Sequence, residues 1–426
     1  MFTTQSPRKV AVVGYNRIPF ARHNTAYANA SNQDMMLAAL NGLTDRYHLN
    51  GMLLGEVAGG AVIKHSREFN LMRECVLGSS LNPSTPSCDL QQACDTGIEA
   101  AIYIANKIAL GQIDVGIAGG VDSVSNVPIV ISEPLRKILL EARRAKTFGG
   151  KAKQFLKIRF KDLMPEAPSV NEPRTGLSMG EHTEFTAKFY GITREEQDAF
   201  ALLSHQKLAK AYDEGFFNDM LTPYFGLDQD NNLRKDSNLE KLAKLKPAFD
   251  KDHGTLTAGN STPFTDGASC VLLASEEWAY EHKLPILACI KCAEVAAIEY
   301  INHKQNLLLA PVYAATRMLK KAGLSLQDFD FYEIHEAFAA QVLATLKIWQ
   351  SETLTNAFGF DKPLGAIDRA KLNVKGSSLA AAHPFAATGG RIIATMAKLL
   401  HQKGSGRGFI SICAAGGQGV TMILEK

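Results

Sequence analysis

Ile98-Glu-Ala-Ala-Ile-Tyr-Ile-Ala-Asn-Lys-Ile-Ala-Leu-Gly-Gln-Ile-Asp-Val-Gly-Ile-Ala-Gly-Gly120 is the stretch that decides the architecture. Ala101, Ile102, Ala105, Ile108 and Ala109 fall on one helical face, and Gly111 stands where a helix should end. Val115 to Ala118 then read as a buried strand closed by Gly119 and Gly120. The same order of signals returns near the other end of the chain. There Ile392, Ile393, Met396, Leu399 and Leu400 share a helical face, Gly404 closes it, and Phe409 to Ile412 lead into Ala414, Ala415, Gly416 and Gly417. An internal duplication is therefore expected. Near the start, Lys9 to Val13 read as a short strand and Asp34 to Leu43 as a helix, so the fold class is α/β.

The 426 residues, 46% of them hydrophobic, supply enough apolar mass for two or three domain-sized units. Forty-six Lys and Arg against 43 Asp and Glu leave a formal charge of +3, which gives no global reason to expect nucleic acid as a partner. A charged small molecule fits better. Met1 to Lys9 lacks the apolar stretch of a secretory leader, and no uninterrupted apolar run of about 18 residues follows. A soluble, cytoplasmic protein is expected. The seven Cys residues form no regular framework, which favours reduced thiols. Cys289 and Cys292 have CxxC spacing but no second ligand pair, and they fall in a predicted apolar strand from Ile286 to Val295. They read as structural thiols, and no metal site is expected.

Between the repeats, Ser123 to Thr262 differs in composition. It holds Pro128, Pro134, Pro165, Pro168 and Pro173, and two polar helical stretches around Arg194 to Glu214. We read an inserted loop domain at 123–262, an amino-terminal half at 1–122 plus 263–285, and a carboxy-terminal half at 286–426. Within the insertion, the 133–165 segment carries ten basic residues against three acidic ones, interleaved with Leu139, Leu140, Phe155, Leu156 and Ile158. An anionic surface, a partner subunit or the nucleotide phosphates of a ligand could dock there, and a plain solvated basic face is the alternative.

Four segments carry chemistry. Cys94 lies in Asp89-Leu-Gln-Gln-Ala-Cys-Asp-Thr-Gly97, where a loop meets the start of the first repeated helix. Free amides and the helix dipole at such a junction are expected to lower the thiol pKa and make the sulfur a nucleophile. His383, in Ala380-Ala-Ala-His-Pro-Phe-Ala-Ala-Thr-Gly-Gly390, occupies the comparable junction of the second repeat, so a pseudo-two-fold could bring base and nucleophile face to face. Cys413 ends the last repeated strand and precedes Ala-Ala-Gly-Gly-Gln-Gly, where main-chain amides can approach a ligand. It is a candidate proton donor and acceptor. His335, in Tyr332-Glu-Ile-His-Glu-Ala-Phe-Ala-Ala340, ends a predicted strand from Phe329 to Ile334 and can polarise a carbonyl or be merely structural.

Together these segments resemble the thiolase family, and the likeness runs from Arg17-Ile-Pro-Phe-Ala-Arg22 through Gly254-Thr-Leu-Thr-Ala-Gly-Asn-Ser-Thr-Pro263 to the final CAAGGQG. The HEAF, STP and HPFAATG forms are similar to those of the β-subunits of fatty-acid oxidation trifunctional complexes, where many other thiolases have NEAF. The resemblance implies a thiolase fold, with two βαβαβαββ halves in an α-β-α-β-α layered core. It implies thiolytic cleavage of 3-oxoacyl-coenzyme A in β-oxidation, with coenzyme A as substrate and no separate cofactor. It further implies that Cys94 accepts the acyl group, His383 activates it, and Cys413 moves a proton at the α-carbon. By the same likeness His335 holds a carbonyl oxygen, the amides of Cys94 and Ala415 form a second oxyanion hole, and Met179, Gly180, Ser261 and Thr262 lie beside the pantetheine arm.

A homodimer or homotetramer is implied, with an α-subunit of hydratase and dehydrogenase activity and a peripheral membrane contact through 133–165 as open partners. Ser377 and the pair Asp95-Thr96 depart from the family pattern without removing a catalytic group. Competing readings are an acetoacetyl-CoA-specific acetyltransferase and an inactive acyl-CoA-binding subunit. A decarboxylating ketoacyl synthase is disfavoured by Cys413, since that class resembles a Cys, His, His pattern.

Overall fold

The structure, a computed structural model, describes residues 7–166 and 169–426. Pro168 and the first six residues of the stretch read for a leader lie outside them. The strands are β1 (Val10–Arg17), β2 (Ala21–Arg22), β3 (Glu56–Gly59), β4 (Ser87–Asp89), β5 (Val115–Asp122), β6 (Thr265–Ser275), β7 (Ala288–Ala297), β8 (Phe331–Ile334), β9 (Arg407–Ala414) and β10 (Gln418–Glu425). They run in the order β4-β3-β5-β6-β1-β7-β10-β9-β8, with β2 beside β6. The seam is β1, which pairs antiparallel with β6 along its length and, through Val10–Val12, also with β7. Thus the strands of the two repeats are hydrogen-bonded into one surface.

The helices of the first part are α1 (Asn32–Arg46), α2 (Leu71–Gly78), α3 (Thr96–Ala109), α4 (Glu133–Arg144), α5 (Phe148–Phe155), α6 (Met179–Tyr190), α7 (Arg194–Asp213) and α8 (Leu239–Ala243). They are followed by α9 (Glu276–Glu281), α10 (Ala310–Ala322), α11 (Ala339–Gln350), α12 (Glu352–Ala357), α13 (Ser378–Ala381) and α14 (Thr388–Lys403). Strand periodicity shows how they layer, because successive side chains point to opposite faces. On β6, Cys270, Leu272 and Ala274 pack with α1 and α2, whereas Val271 and Leu273 pack with α3 and α14. On β9, Ile410 and Ile412 join that same central cluster, and Phe409 faces the apolar sides of α10 and α11. The resulting order is helices, sheet, helices, sheet, helices. Ile98, Ile104 and Ile108 of α3 are fully buried in the middle layer, each contributing about 1.5–3 kcal/mol by removal from water.

Local signals set the helix ends. Ser31 and Asp34 form a capping box for α1, and Gly111 (φ 70°) and Gly404 (φ 87°) provide the left-handed turns after α3 and α14. At their other ends α3 and α14 meet backbone to backbone. A Cβ on Gly97 would lie 2.5 Å from the Ala386 carbonyl oxygen, and one on Gly389 would lie 2.2 Å from the Ile98 nitrogen. The two segments with chemistry therefore converge by main-chain contact.

Between β5 and its antiparallel neighbour β6 the chain leaves the sheet and builds α4 to α8. Arg194–Asp213 is one 20-residue helix, where two stretches were expected; a Thr193–Glu196 capping box starts it and no Gly or Pro interrupts it. Arg17, 2% exposed, holds Asp230 of this region through two hydrogen bonds of 2.6 and 2.8 Å, and Tyr212 donates to the same carboxylate. Losing one partner of such a buried pair costs about 3–5 kcal/mol. The Arg17 motif is thus a structural clamp. Among the described residues, no helix is long and apolar enough to cross a membrane.

Candidate active site

Strained main chain presents both reactive residues. Ala93, immediately before Cys94, has φ 46°, and Ala382, immediately before His383, has φ 79° and ψ −179°. Each such conformation costs a non-glycine residue about 1–3 kcal/mol and persists only where neighbours enforce it. At the first junction Thr96 Oγ1 accepts from the Gln92 amide (2.9 Å) and donates to the Ala93 carbonyl (2.7 Å), so the unusual Thr96 pins the turn. At the second, the His383 amide donates to Thr265 Oγ1 (3.1 Å), and the Asp122 carboxylate accepts from the amides of Ala386, Val62 and Ile63. Burial pushes Asp122 up to about 7 against the pull of those amides.

The junctions deliver His383 Nε2 to 3.1 Å from Cys94 Sγ, while His383 Nδ1 lies 2.5 Å from Thr388 Oγ1. With Nδ1–H donating to Thr388, Nε2 is free to take the thiol proton. The amides of Ala415 and of Cys94 itself face the same sulfur. Cys413, buried, adjoins Cys94 closely enough to feel its charge.

The expected lowering of the Cys94 pKa is overturned. Burial, and then the neighbouring Asp95, hold this thiol well above its ordinary range, and the facing amides only partly offset them. Asp95 is itself raised well above the usual carboxylate range by burial, and then by Glu99. A helix terminus does not offset the desolvation of Cys94. Burial, and then Arg391, bring His383 down to about 3. Both shifts favour the neutral thiol and the neutral imidazole. Cys413 is likewise raised by burial, and then by Cys94 and Asp95.

His335 completes the group. Its ring centroid lies 4.1 Å from that of His383 at 48°. Its amide donates to the Ser411 carbonyl, and its Nδ1 is 2.7 Å from Ser378 Oγ. Its Nε2 is buried and has no partner among the described residues. Burial, then His383 and Arg391, lower its pKa well below the imidazole range. Next in sequence, Glu336 accepts from Ser204 Oγ, Asn373 Nδ2 and the Leu379 amide, tying the loop after β8 to α7 and α13.

Ser261 bridges Phe338, and the Thr262 amide and hydroxyl both donate to the Ala337 carbonyl, so this pair lies against the loop that carries His335. Met179 and Gly180 open α6. A Cβ on Gly180 would fall 2.2 Å from the Phe249 ring, which stacks edge-on against Phe338. Packing accounts for that glycine. Cys289 and Cys292 belong to different clusters on either side of β7, so their spacing cannot chelate, and among the described residues no cluster of three His, Cys, Asp or Glu could hold a metal ion. Sequence reading missed Thr388, Ser378, Glu336, Asp122 and Glu172. Of these Glu172 accepts from the Gly416 amide and from Tyr300, fixing the turn after Cys413. Only Thr388, five residues after His383 at the start of α14, carries a local signal.

Residues 10–277 match the family described as "Thiolase, N-terminal domain", and residues 284–426 match "Thiolase, C-terminal domain". The chain belongs to the thiolase family. This thiolase is 41% identical over 432 residues to a 3-ketoacyl-CoA thiolase of Yersinia pestis (strain Pestoides F), an alignment covering 100% of this chain and 98% of the relative. Among solved structures it is similar to the acetyl-CoA acetyltransferase of Bacillus anthracis, with a TM-score of 0.83, 30% identity, and coverage of 99% of this thiolase and 100% of that chain. It is also similar to human mitochondrial 3-ketoacyl-CoA thiolase, with a TM-score of 0.80, 27% identity, and coverage of 98% and 99%.

Proposed function

We propose that this thiolase cleaves 3-oxoacyl-CoA with coenzyme A, giving acetyl-CoA and a shortened acyl-CoA, as a step of fatty-acid oxidation. The observation that carries this is His383 Nε2 at 3.1 Å from Cys94 Sγ, with two main-chain amides facing that sulfur. Cys94 attacks C3 of the substrate as His383 takes the thiol proton. The amides of Cys94 and Ala415 receive the tetrahedral oxyanion, where loss of one donor typically costs about 3 kcal/mol. The C2–C3 bond then breaks, the enolate oxygen is held from the His335 and His383 side, and Cys413 gives its proton to C2. The Cys413 thiolate next takes the proton of incoming coenzyme A, whose sulfur accepts the acyl group, and the departing Cys94 thiolate recovers its proton from His383.

Thiolysis assayed from four to sixteen carbons beside Cys94→Ala tests this. Activity that vanishes in the variant, with an acyl group found on Cys94 by mass spectrometry, supports it. Activity confined to four carbons would favour the acetoacetyl-CoA acetyltransferase, and no activity at any length would favour the inactive binding subunit.

The proposal extends to organisation. The halves are 1–122 with 263–285, and 286–426; 123–262 is an insertion serving coenzyme A and partner contacts, and Met179, Gly180, Ser261 and Thr262 line the pantetheine path. The thiolase works in the cytoplasm as a homodimer or homotetramer, alone or with an α-subunit. The α4–α5 region supports a peripheral contact with an anionic membrane, because Phe148, Leu156 and Phe160 are each more than four-fifths exposed beside Arg143, Arg144 and Lys146. Reversing those three cations to Glu should abolish co-flotation with anionic vesicles; unchanged flotation and assembly would discard the contact.

A further inference from the structure

His335 differs from an asparagine at the same place in one chemical respect. An amide always presents an N–H, whereas a neutral imidazole presents one only on whichever nitrogen holds its proton. The partner on the other nitrogen therefore decides whether His335 donates into the site or merely accepts there.

That partner is specified by a buried chain. Arg391, 3% exposed on the first turn of α14, lies with Nη2 2.8 Å from Ser378 Oγ and 3.3 Å from Ser377 Oγ. A guanidinium has donors and no acceptor, so Ser378 Oγ must accept from it. The hydroxyl keeps one proton to give, and His335 Nδ1 at 2.7 Å is its partner. Nδ1 therefore accepts, and the ring proton resides on Nε2, the atom left buried without a partner among the described residues, in a ring whose centroid is 4.1 Å from that of His383. Arg391 also opposes any second proton on the ring by charge repulsion. The turn bearing Ser378 is held in place by Glu336, through the Leu379 amide at 3.1 Å.

We propose that Ser378 and Arg391 are positioning residues that lock His335 in its Nε2–H tautomer, making it a dedicated donor to the enolate oxygen of acetyl-CoA. This rests on the assignment of His335 to that oxygen. It also gives the serine at 378 a purpose that exists only because residue 335 is histidine.

A mutant cycle on the full-length enzyme tests it, with acetoacetyl-CoA as substrate and circular dichroism to confirm folding. Ser378→Ala should lower kcat about tenfold or more with KM nearly unchanged, and should leave the rate of Cys94 alkylation by iodoacetamide unaltered. Ser378→Thr, which retains the hydroxyl, should restore most of the loss. In a His335→Asn background, adding Ser378→Ala should change kcat by less than twofold, because the amide needs no tautomer. An equal loss in both backgrounds would reduce Ser378 to a packing role and overturn the proposal, as would full activity of Ser378→Ala. Full activity of His335→Ala would instead defeat the underlying assignment of His335. If Ser378→Ala does not fold, the same cycle run with Ser378→Cys, which weakens the donor at similar volume, reads the same coupling.

Discussion

Cys94 and His383 arrive from corresponding junctions of the two halves, each behind an alanine forced to positive φ and each at the start of a central helix. The supports around them differ sharply. At the histidine junction each polar group has a partner: the amide meets Thr265, Nδ1 meets Thr388, Nε2 meets the thiol, and the Ala386 amide meets Asp122. At the cysteine junction the adjacent Asp95 is fully buried with neither carboxyl oxygen partnered among the described residues, and the thiol is held neutral. One half supplies fixed geometry, while the other sets its thiol beside a buried, unpartnered acid. The strain on Ala93 and Ala382 is tolerated because the paired half over-determines the position of both.

The comparison can be broken most severely at the fixed junction. His383→Ala should lower thiolysis about 10²–10⁴-fold and slow alkylation of Cys94 at neutral pH, since a thiol raised by burial then lacks its acceptor. Alkylation as fast as in the native enzyme would mean that the thiol ionises unaided. Cys413→Ala should lose about 10²–10³-fold in turnover and stop deuterium exchange into the acetyl-CoA methyl group. Transfer of a preformed acyl group from Cys94 to coenzyme A should slow as well, because Cys413 also takes the coenzyme A proton; transfer at the native rate would confine Cys413 to the α-carbon step.

At the cysteine junction, Asp95→Asn sharpens the contrast through pH. An acid raised in the folded state keeps a proton that the unfolded chain releases near 3.8, so stability falls as pH rises from that point toward the folded value. Asparagine removes this fall. Urea unfolding should find the variant equal to the native protein well below pH 3.8 and progressively more stable than it as pH rises above that point. A parallel pH dependence in both proteins would refute the burial argument. A smaller effect is expected from Ala382→Gly, which relieves a conformation nearly exclusive to glycine and should raise stability by about 1 kcal/mol. Ala93→Gly should gain less, because φ 46° lies closer to conformations that other residues reach.

Much of this was legible in the sequence where the cause is local. Gly111 and Gly404 end their helices as their positions implied, and the two repeats bring Cys94 and His383 to one point. What escaped depends on packing between distant segments. Asp122 reaches Ala386 across 264 residues, and Ser378 matters only once β8 brings His335 beside α13. The direction of the thiol pKa escaped for the same reason: a helix start is visible in nine residues, but the desolvation that raises Cys94 is a property of the closed fold. The single helix at 194–213 was missed because its polar surface masks its periodicity.

The contact of Gly97 with Gly389 has a consequence for how this enzyme can change. Because main chain touches main chain there, the gap between sulfur and imidazole is gauged by the backbone and has no side chain whose trimming could adjust it. Libraries built at that crossing should return misfolded chains rather than retuned catalysts, and adaptation to new acyl groups is confined to the peripheral loops, where volume can vary without moving the reacting atoms.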